Sequence, residues 1–198
     1  MGRRFVLASA SPARLRVLRG AGMDPEVIVS GVDEDDVDTS DVRAAVLTLA
    51  QRKADTVAAS PEVAGALVLG CDSMFALDGE VHGKPSGPGQ AAEWGRRMRG
   101  SAGTLCTGHC LIDTATGARA SDVATTVVRF GSPTDAEIDA YVASGEPLAV
   151  AGGFTLDGLS APFIDGVEGD PGNVIGVSLP LVRRLLAELD IEVTSLWR

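Results

Sequence analysis

The sequence predicts an α/β domain, and three observations carry that expectation. First, β-prone apolar runs alternate with helical stretches from one end of the chain to the other. Second, hydrophobic residues are 45% of the 198 but aromatic residues only 4%, so the core is one of Val, Leu, Ile and Ala. Third, no linker, repeat or low-complexity segment interrupts residues 1–198, a length that buries a full core in one domain with room for two lobes.

In chain order, Phe5–Ala8 reads as a short strand. Ser11 then sits where a helix N-cap would, and Pro12 at the first helical position, where its missing N–H costs nothing. Leu15, Leu18 and Met23 supply an apolar face. Strand, serine-bearing turn (Ser9, Ser11), helix N-terminus and Arg14 together make a cradle for an anion such as phosphate. The same residues also suit an ordinary capped helix with surface arginines. Glu26–Ser30 reads as a second strand. The acidic segment Asp33–Asp38 is either a solvated loop or a source of carboxylates that face the cradle and help hold a divalent cation. Ser40 is placed to cap a helix over Val42–Ala59, on which Lys53 would by default face solvent.

Ala66–Leu69 and Met74–Leu77 read as a buried strand interrupted at Gly70–Ser73. Asp72, in those apolar surroundings, needs a partner or a job, because burying an unpaired carboxylate costs several kcal/mol. Asp78-Gly79 marks a tight hairpin, and Lys84 follows between Gly83 and Pro85. A helix is expected over Pro88–Arg99, closed by Gly100. Strands over Thr104–Ile112 and Ala124–Phe130 turn at Thr116-Gly117. Cys106, His109 and Cys110 invite a zinc reading, but a fourth ligand is wanting and small buried thiols in a strand are preferred. Ser132 caps a helix over Pro133–Ala143. The glycine-rich tract Gly145–Gly158 lacks the spacing of either standard phosphate-binding glycine motif. A turn-rich stretch, Glu168–Gly176, leads into a helix around Leu181–Leu189 and a short strand or tail, Ile191–Leu196.

The net charge of -10 argues against a nucleic-acid grip, which needs a basic face. It leaves room for a nucleotide, since a few local cations or a metal ion invert the local field. Three cysteines without framework spacing point to thiols in a reducing cytoplasm. Gly2–Leu7 resembles a twin-arginine leader, but Pro12 and Arg14 break the apolar run too soon for an export signal. No stretch approaches the ~20 apolar residues of a membrane span, so a soluble protein is expected.

Nine short motifs run along the chain in order: Leu7-Ala-Ser-x-Ser-Pro-x-Arg14, Asp33-Glu34, Lys53-Ala54, Gly70-Cys-Asp-Ser73, Gly83-Lys-Pro85, Thr107-Gly108, Tyr141-Val-x-Ser-Gly-Glu-Pro147, Ala151-Gly-Gly-Phe154 and Asn173-Val-Ile-Gly176. Taken together and in this order, they resemble the Maf family of nucleoside triphosphate pyrophosphatases over essentially the whole chain. The resemblance implies an elongated, twisted mixed sheet with flanking helices, in two lobes around a central cleft, similar to inosine-triphosphate pyrophosphatases. It implies hydrolysis of a nucleoside triphosphate, standard or modified, to the monophosphate and pyrophosphate, with Mg²⁺ or Mn²⁺ and as a homodimer. By position it makes Asp72 the general base, Ser9, Arg14, Lys53 and Lys84 the triphosphate-binding set, and Glu34 with Asp72 the metal carboxylates.

Specificity falls on Ala13, Ser73 and Asp157. The branch of the family that prefers thymidine and uridine nucleotides carries an arginine where this chain has Ala13, a lysine at Val150 and a glutamine at Asp157. The branch acting on methylated guanosine triphosphate carries a tryptophan at the first position and a glutamate at the last. The chain matches neither branch fully and leans to the second through Asp157, an acceptor suited to a base with N–H donors, such as guanine or cytosine. Ala13 would leave a wider pocket. Two rivals share these residues: a nucleotide-binding regulator of cell division with little turnover, and a sugar-phosphate or nucleotidyl transferase.

Overall fold

The computed structural model describes residues 3–34 and 36–198. The first two residues, where the leader reading begins, and Asp35 of the acidic segment lie outside them. The elements in order are β1 (Phe5–Leu7), α1 (Pro12–Gly20), β2 (Glu26–Val27), α2 (Val42–Ala58), β3 (Leu67–Leu77), β4 (Glu80–His82) and α3 (Pro88–Met98). They continue with β5 (Ala102–Asp113), β6 (Arg119–Phe130), α4 (Asp135–Ala143), β7 (Ile164–Glu168), α5 (Pro171–Ile175) and α6 (Leu179–Glu188). The strands form one seven-stranded mixed sheet in the order β2-β1-β3-β5-β6-β7, with β4 added to β3. β1 runs parallel to both β2 and β3, whereas β4 and β7 pair antiparallel to β3 and β6. The expected mixed α/β fold, a sheet with flanking helices, is therefore the observed one.

The chain forms two units. The first contains residues up to Asp72, Thr107–Ala124 and Gly176–Arg198. One face of its sheet carries Phe5, Leu7, Leu67, Leu69, Cys71 and Leu111 into a core with Leu18 of α1 and Leu181, Val182, Leu185 and Leu186 of α6. Because strand side chains alternate, the next residues face the other way. Val6, Ala8 and Val68 meet Val57 of α2, and Cys110 and Ile112 meet Ala50 and Ala54. Two strand glycines let α2 come this close. A Cβ on Gly70 would lie 2.3 Å from the Ala50 carbonyl oxygen, and one on Gly108 would lie 2.1 Å from that of Val46.

The second unit contains Ser73–Cys106 and Thr125–Ile175. Its core gathers Phe75, Leu77, Leu105, Val128, Phe130 and Phe154 with Trp94 and Met98 of α3. Phe75, Phe130 and Phe154 meet edge to face with centroids 5.0–5.8 Å apart, the favoured aromatic geometry. The Asp78-Gly79 turn is as expected: both residues have positive φ, and Leu77 pairs with Glu80 across it.

Several local expectations change. β3 is continuous through Gly70–Ser73, because a glycine inside a strand can serve close packing as well as a break. Glu26–Ser30 pairs only over Glu26–Val27, and Val29 is exposed. Asp41 caps α2 in place of Ser40, accepting from the N–H groups of Arg43 and Ala44, while Ser40 bonds to Asp38. α4 starts two residues later than expected, on a capping box of Thr134 with Glu137. The turn-rich stretch before α6 hides the short helix α5, and β7 precedes it. The tail is a short 3-10 turn, Val193–Leu196, followed by a bridge from Trp197 to Met23.

Candidate functional site

The first unit brings together the candidates Ser9, Arg14, Lys53 and Asp72, from the β1–α1 turn, α2 and β3. At the end of β1 the chain turns through Ser9 into α1, with Pro12 at its first position. The Ser11 hydroxyl accepts from the Arg14 backbone N–H at 3.4 Å, as the capping argument predicts. Arg14 is only 9% exposed and is held on both sides: Nη1 donates to Ser9 Oγ at 2.9 Å and Nε to the Gly176 carbonyl at 2.8 Å. Gly176 has φ of +119°, and a Cβ there would press within 3.1 Å of Arg14 Nε. The Asn173–Gly176 motif thus ends in the residue that aims Arg14, a role that motif order alone does not disclose.

Lys53 is buried, at 8% exposure, contrary to the default for a helical lysine. Its Nζ lies 2.6 Å from Asp72 Oδ1 and 2.6 Å from Glu34 Oε1, so one ammonium joins two carboxylates. The geometry follows from α2: Lys53 sits between Ala50 and Ala54, the residues that rest on Gly70, and Asp72 is the next residue on that face of β3. Asp72 is 5% exposed. Burial pushes its carboxyl above the ordinary aspartate range, the Lys53 ammonium and Arg14 guanidinium oppose this, and Glu34 adds to the rise. Burial also pushes the neighbouring Cys71 thiol up to about 12, which leaves it protonated and inert.

No group of three or more His, Cys, Asp or Glu side chains suited to a metal is present among the described residues. The zinc alternative fails on alternation, since Cys106 and Cys110 point away from the face of β5 that carries His109. His109 is instead structural: burial lowers it to about 4, Nδ1 faces the Thr107 carbonyl, and Nε2 accepts from the Ser178 N–H at 2.9 Å. Glu34 and Asp72 do fit a hard cation of the Mg²⁺ type. Both converge on a single positive charge, and such ions take one or two carboxylates with substrate oxygens completing the shell. Ala13 is half-buried in the first turn of α1.

The second unit carries the remaining three candidates. Ser73 is half-buried in β3. Lys84 is exposed on a rigid base formed by buried His82 and Pro85, with His82 edge-on to Trp94 at 4.7 Å. The Gly83 carbonyl accepts from the Gly152 N–H at 2.9 Å, which ties the Lys84 loop to the Ala151–Phe154 motif. Gly152 and Gly153 both have positive φ, and a Cβ on Gly152 would meet Phe154 at 2.8 Å, so this glycine-rich tract serves packing. Asp157 is exposed in the loop that follows.

Comparison with known proteins agrees with these motifs. A family model described as "Maf-like protein" matches residues 4–189. A relative from Streptomyces avermitilis is 64% identical over 98% of this chain and 95% of its own length. One from Streptomyces coelicolor is 63% identical over the same shares. One from Salinispora tropica is 51% identical over 98% of this chain and 87% of its own. All three carry the name nucleoside triphosphate pyrophosphatase.

Proposed function

This chain belongs to the Maf-like protein family, and on that premise we propose that it is a nucleoside triphosphate pyrophosphatase, a hydrolase releasing pyrophosphate and the nucleoside monophosphate. The observation that carries the reading is the buried Asp72 carboxylate beside Lys53, with the Ser9–Arg14 pair at the α1 N-terminus nearby in the same unit. Asp72 takes the proton from the attacking water. Lys53, Arg14 and the α1 N-terminus meet the negative charge of the phosphate oxygens, and Lys84 completes the triphosphate-binding set. Glu34 and Asp72 would hold Mg²⁺ or Mn²⁺, which when bound neutralises charge on the phosphate oxygens. A homodimer acting in the cytoplasm belongs to the same proposal. No described helix is long and apolar enough to cross a membrane.

The test is a panel of standard and modified nucleoside triphosphates with Mg²⁺ or Mn²⁺, assayed for pyrophosphate and monophosphate. Stoichiometric release of both without an acceptor substrate, abolished by a chelator and restored by the metal, is the expected result. Tight binding with no turnover would move the reading to a regulator of cell division, and group transfer to an added acceptor would move it to a transferase.

Asp157 and Ala13 are the proposed base readers, with Ser73 beside the catalytic strand position. As an ionised acceptor, Asp157 favours a base with N–H donors. Asp157→Asn, which adds a donor and removes the charge, should lower kcat/KM for guanine or cytosine nucleotides by about tenfold relative to the others. An unchanged profile would rule Asp157 out as a reader.

A further inference from the structure

The loop that carries Asp157 is closed by a carboxylate that the proposed reaction does not use. Glu146 opens the 3-10 turn Glu146–Ala149. Its carboxylate accepts from Thr155 Oγ1 at 2.6 Å and from the Leu159 N–H at 2.9 and 3.1 Å. Ser160, 4% exposed, closes the same loop from beneath: its Oγ accepts from the Thr155 N–H at 2.7 Å and donates to the Thr155 carbonyl at 2.8 Å. Residues 155 and 159–160 are therefore pinned together, and Asp157 stands at the crest between the pins. Gly158 makes room for the clamp, since a Cβ there would fall 2.6 Å from Glu146 Oε1 and 2.5 Å from Thr155 Oγ1. Beside Asp157 the loop exposes Leu159, 60% accessible, an apolar surface next to an acceptor.

We propose that Glu146 is a positioning residue for nucleobase selectivity, setting the height and angle at which Asp157 and Leu159 meet the base. Hydrogen bonds to an ionised carboxylate are among the strong ones. Although burial pushes the Glu146 carboxyl up, its bonds to Thr155 and the Leu159 N–H hold it below its ordinary range, so the clamp stays charged. A six-residue surface loop, Thr155–Ser160, fixed at both ends gives one acceptor a defined direction, and selectivity between bases depends on that direction. The inference rests on the pyrophosphatase reading and on Asp157 as base reader.

The experiment measures kcat and KM for a panel of nucleoside triphosphates with wild type, Glu146→Gln, Gly158→Ala and Thr155→Ser. Gly158→Ala opens the clamp by pressing on the Thr155 and Glu146 side-chain oxygens, with no backbone atom among its three nearest contacts, so the fold should survive where Glu146→Gln proves unstable. In both of these variants the ratio of kcat/KM between the best and worst nucleotides should fall by about three- to tenfold, through a higher KM for the preferred one. Thr155→Ser keeps the hydroxyl and should keep the ratio. Combining Glu146→Gln with Asp157→Asn should cost no more selectivity than Asp157→Asn alone, a coupling that general destabilisation would not produce. A selective wild type with equally selective Glu146→Gln and Gly158→Ala variants overturns the role of Glu146 and leaves the function standing. A wild type that turns over no nucleotide overturns the functional reading, and this one with it.

Discussion

Asp72→Asn should reduce kcat for pyrophosphate release by about 10²- to 10⁴-fold, the loss typical of a missing general base, while nucleotide binding survives. The substitution is isosteric and keeps an oxygen for Lys53 Nζ, which also remains paired with Glu34. Its effect on stability should run the other way. Burial raises the Asp72 carboxyl above its unfolded value, so the stability it contributes is complete below the unfolded pKa of about 3.9 and is lost as pH rises through the higher folded value. At neutral pH the carboxylate therefore costs stability, and Asp72→Asn should melt at or above the wild-type temperature. Below about pH 4 that difference should vanish. A destabilised Asp72→Asn that retains turnover would reduce Asp72 to a structural partner of Lys53.

Much of this site was legible in the sequence where the signal was local. Ser11, Pro12 and Arg14 lie within one turn of a helix, so cap, first helical residue and arginine could be placed from spacing alone, and the structure places them so. Asp72 stood out because a carboxylate in an apolar run demands compensation. Lys53 did not, since a helix shows from sequence which residues share a face but not which face meets a sheet. Its burial depends on Gly70 and Gly108, two glycines inside strands; Gly70 could have been read as a close-approach position and instead suggested a break, and Gly108 passed as an ordinary strand residue. The caps of α2 and α4 shifted by one or two residues because Ser40, Asp41, Ser132 and Thr134 are all competent caps, and the choice falls to tertiary packing. Glu146 was visible only as part of a motif; its purpose appears once the chain brings Thr155 and Leu159 back to it, nine and thirteen residues later.

Gly70→Ala should damage stability and catalysis together, because this glycine lies against the stretch of α2 that carries Lys53. The added Cβ would lie 2.3 Å from the Ala50 carbonyl oxygen and 2.8 Å from the Ala54 nitrogen, both backbone atoms of α2. No rotamer change relieves such a contact, so the helix itself must lift. Overpacking of this kind costs about 1–3 kcal/mol and occasionally more. For a chain of this length that corresponds to a fall of roughly 3–10 °C in Tm. Because Lys53 rides on α2 between those two residues, lifting the helix lengthens the 2.6 Å contact to Asp72 and removes a charge that opposes the raised carboxyl pKa. At a temperature where the variant is fully folded, kcat should then fall in Gly70→Ala, a change that lost stability alone would not produce. Gly89→Ala supplies the control: it lies in α3 with no atom within 4 Å of the added carbon and should leave Tm level or slightly raised. A Gly70→Ala protein with wild-type Tm and kcat would show that α2 does not seat Lys53 through this contact, and the buried lysine would then need another explanation.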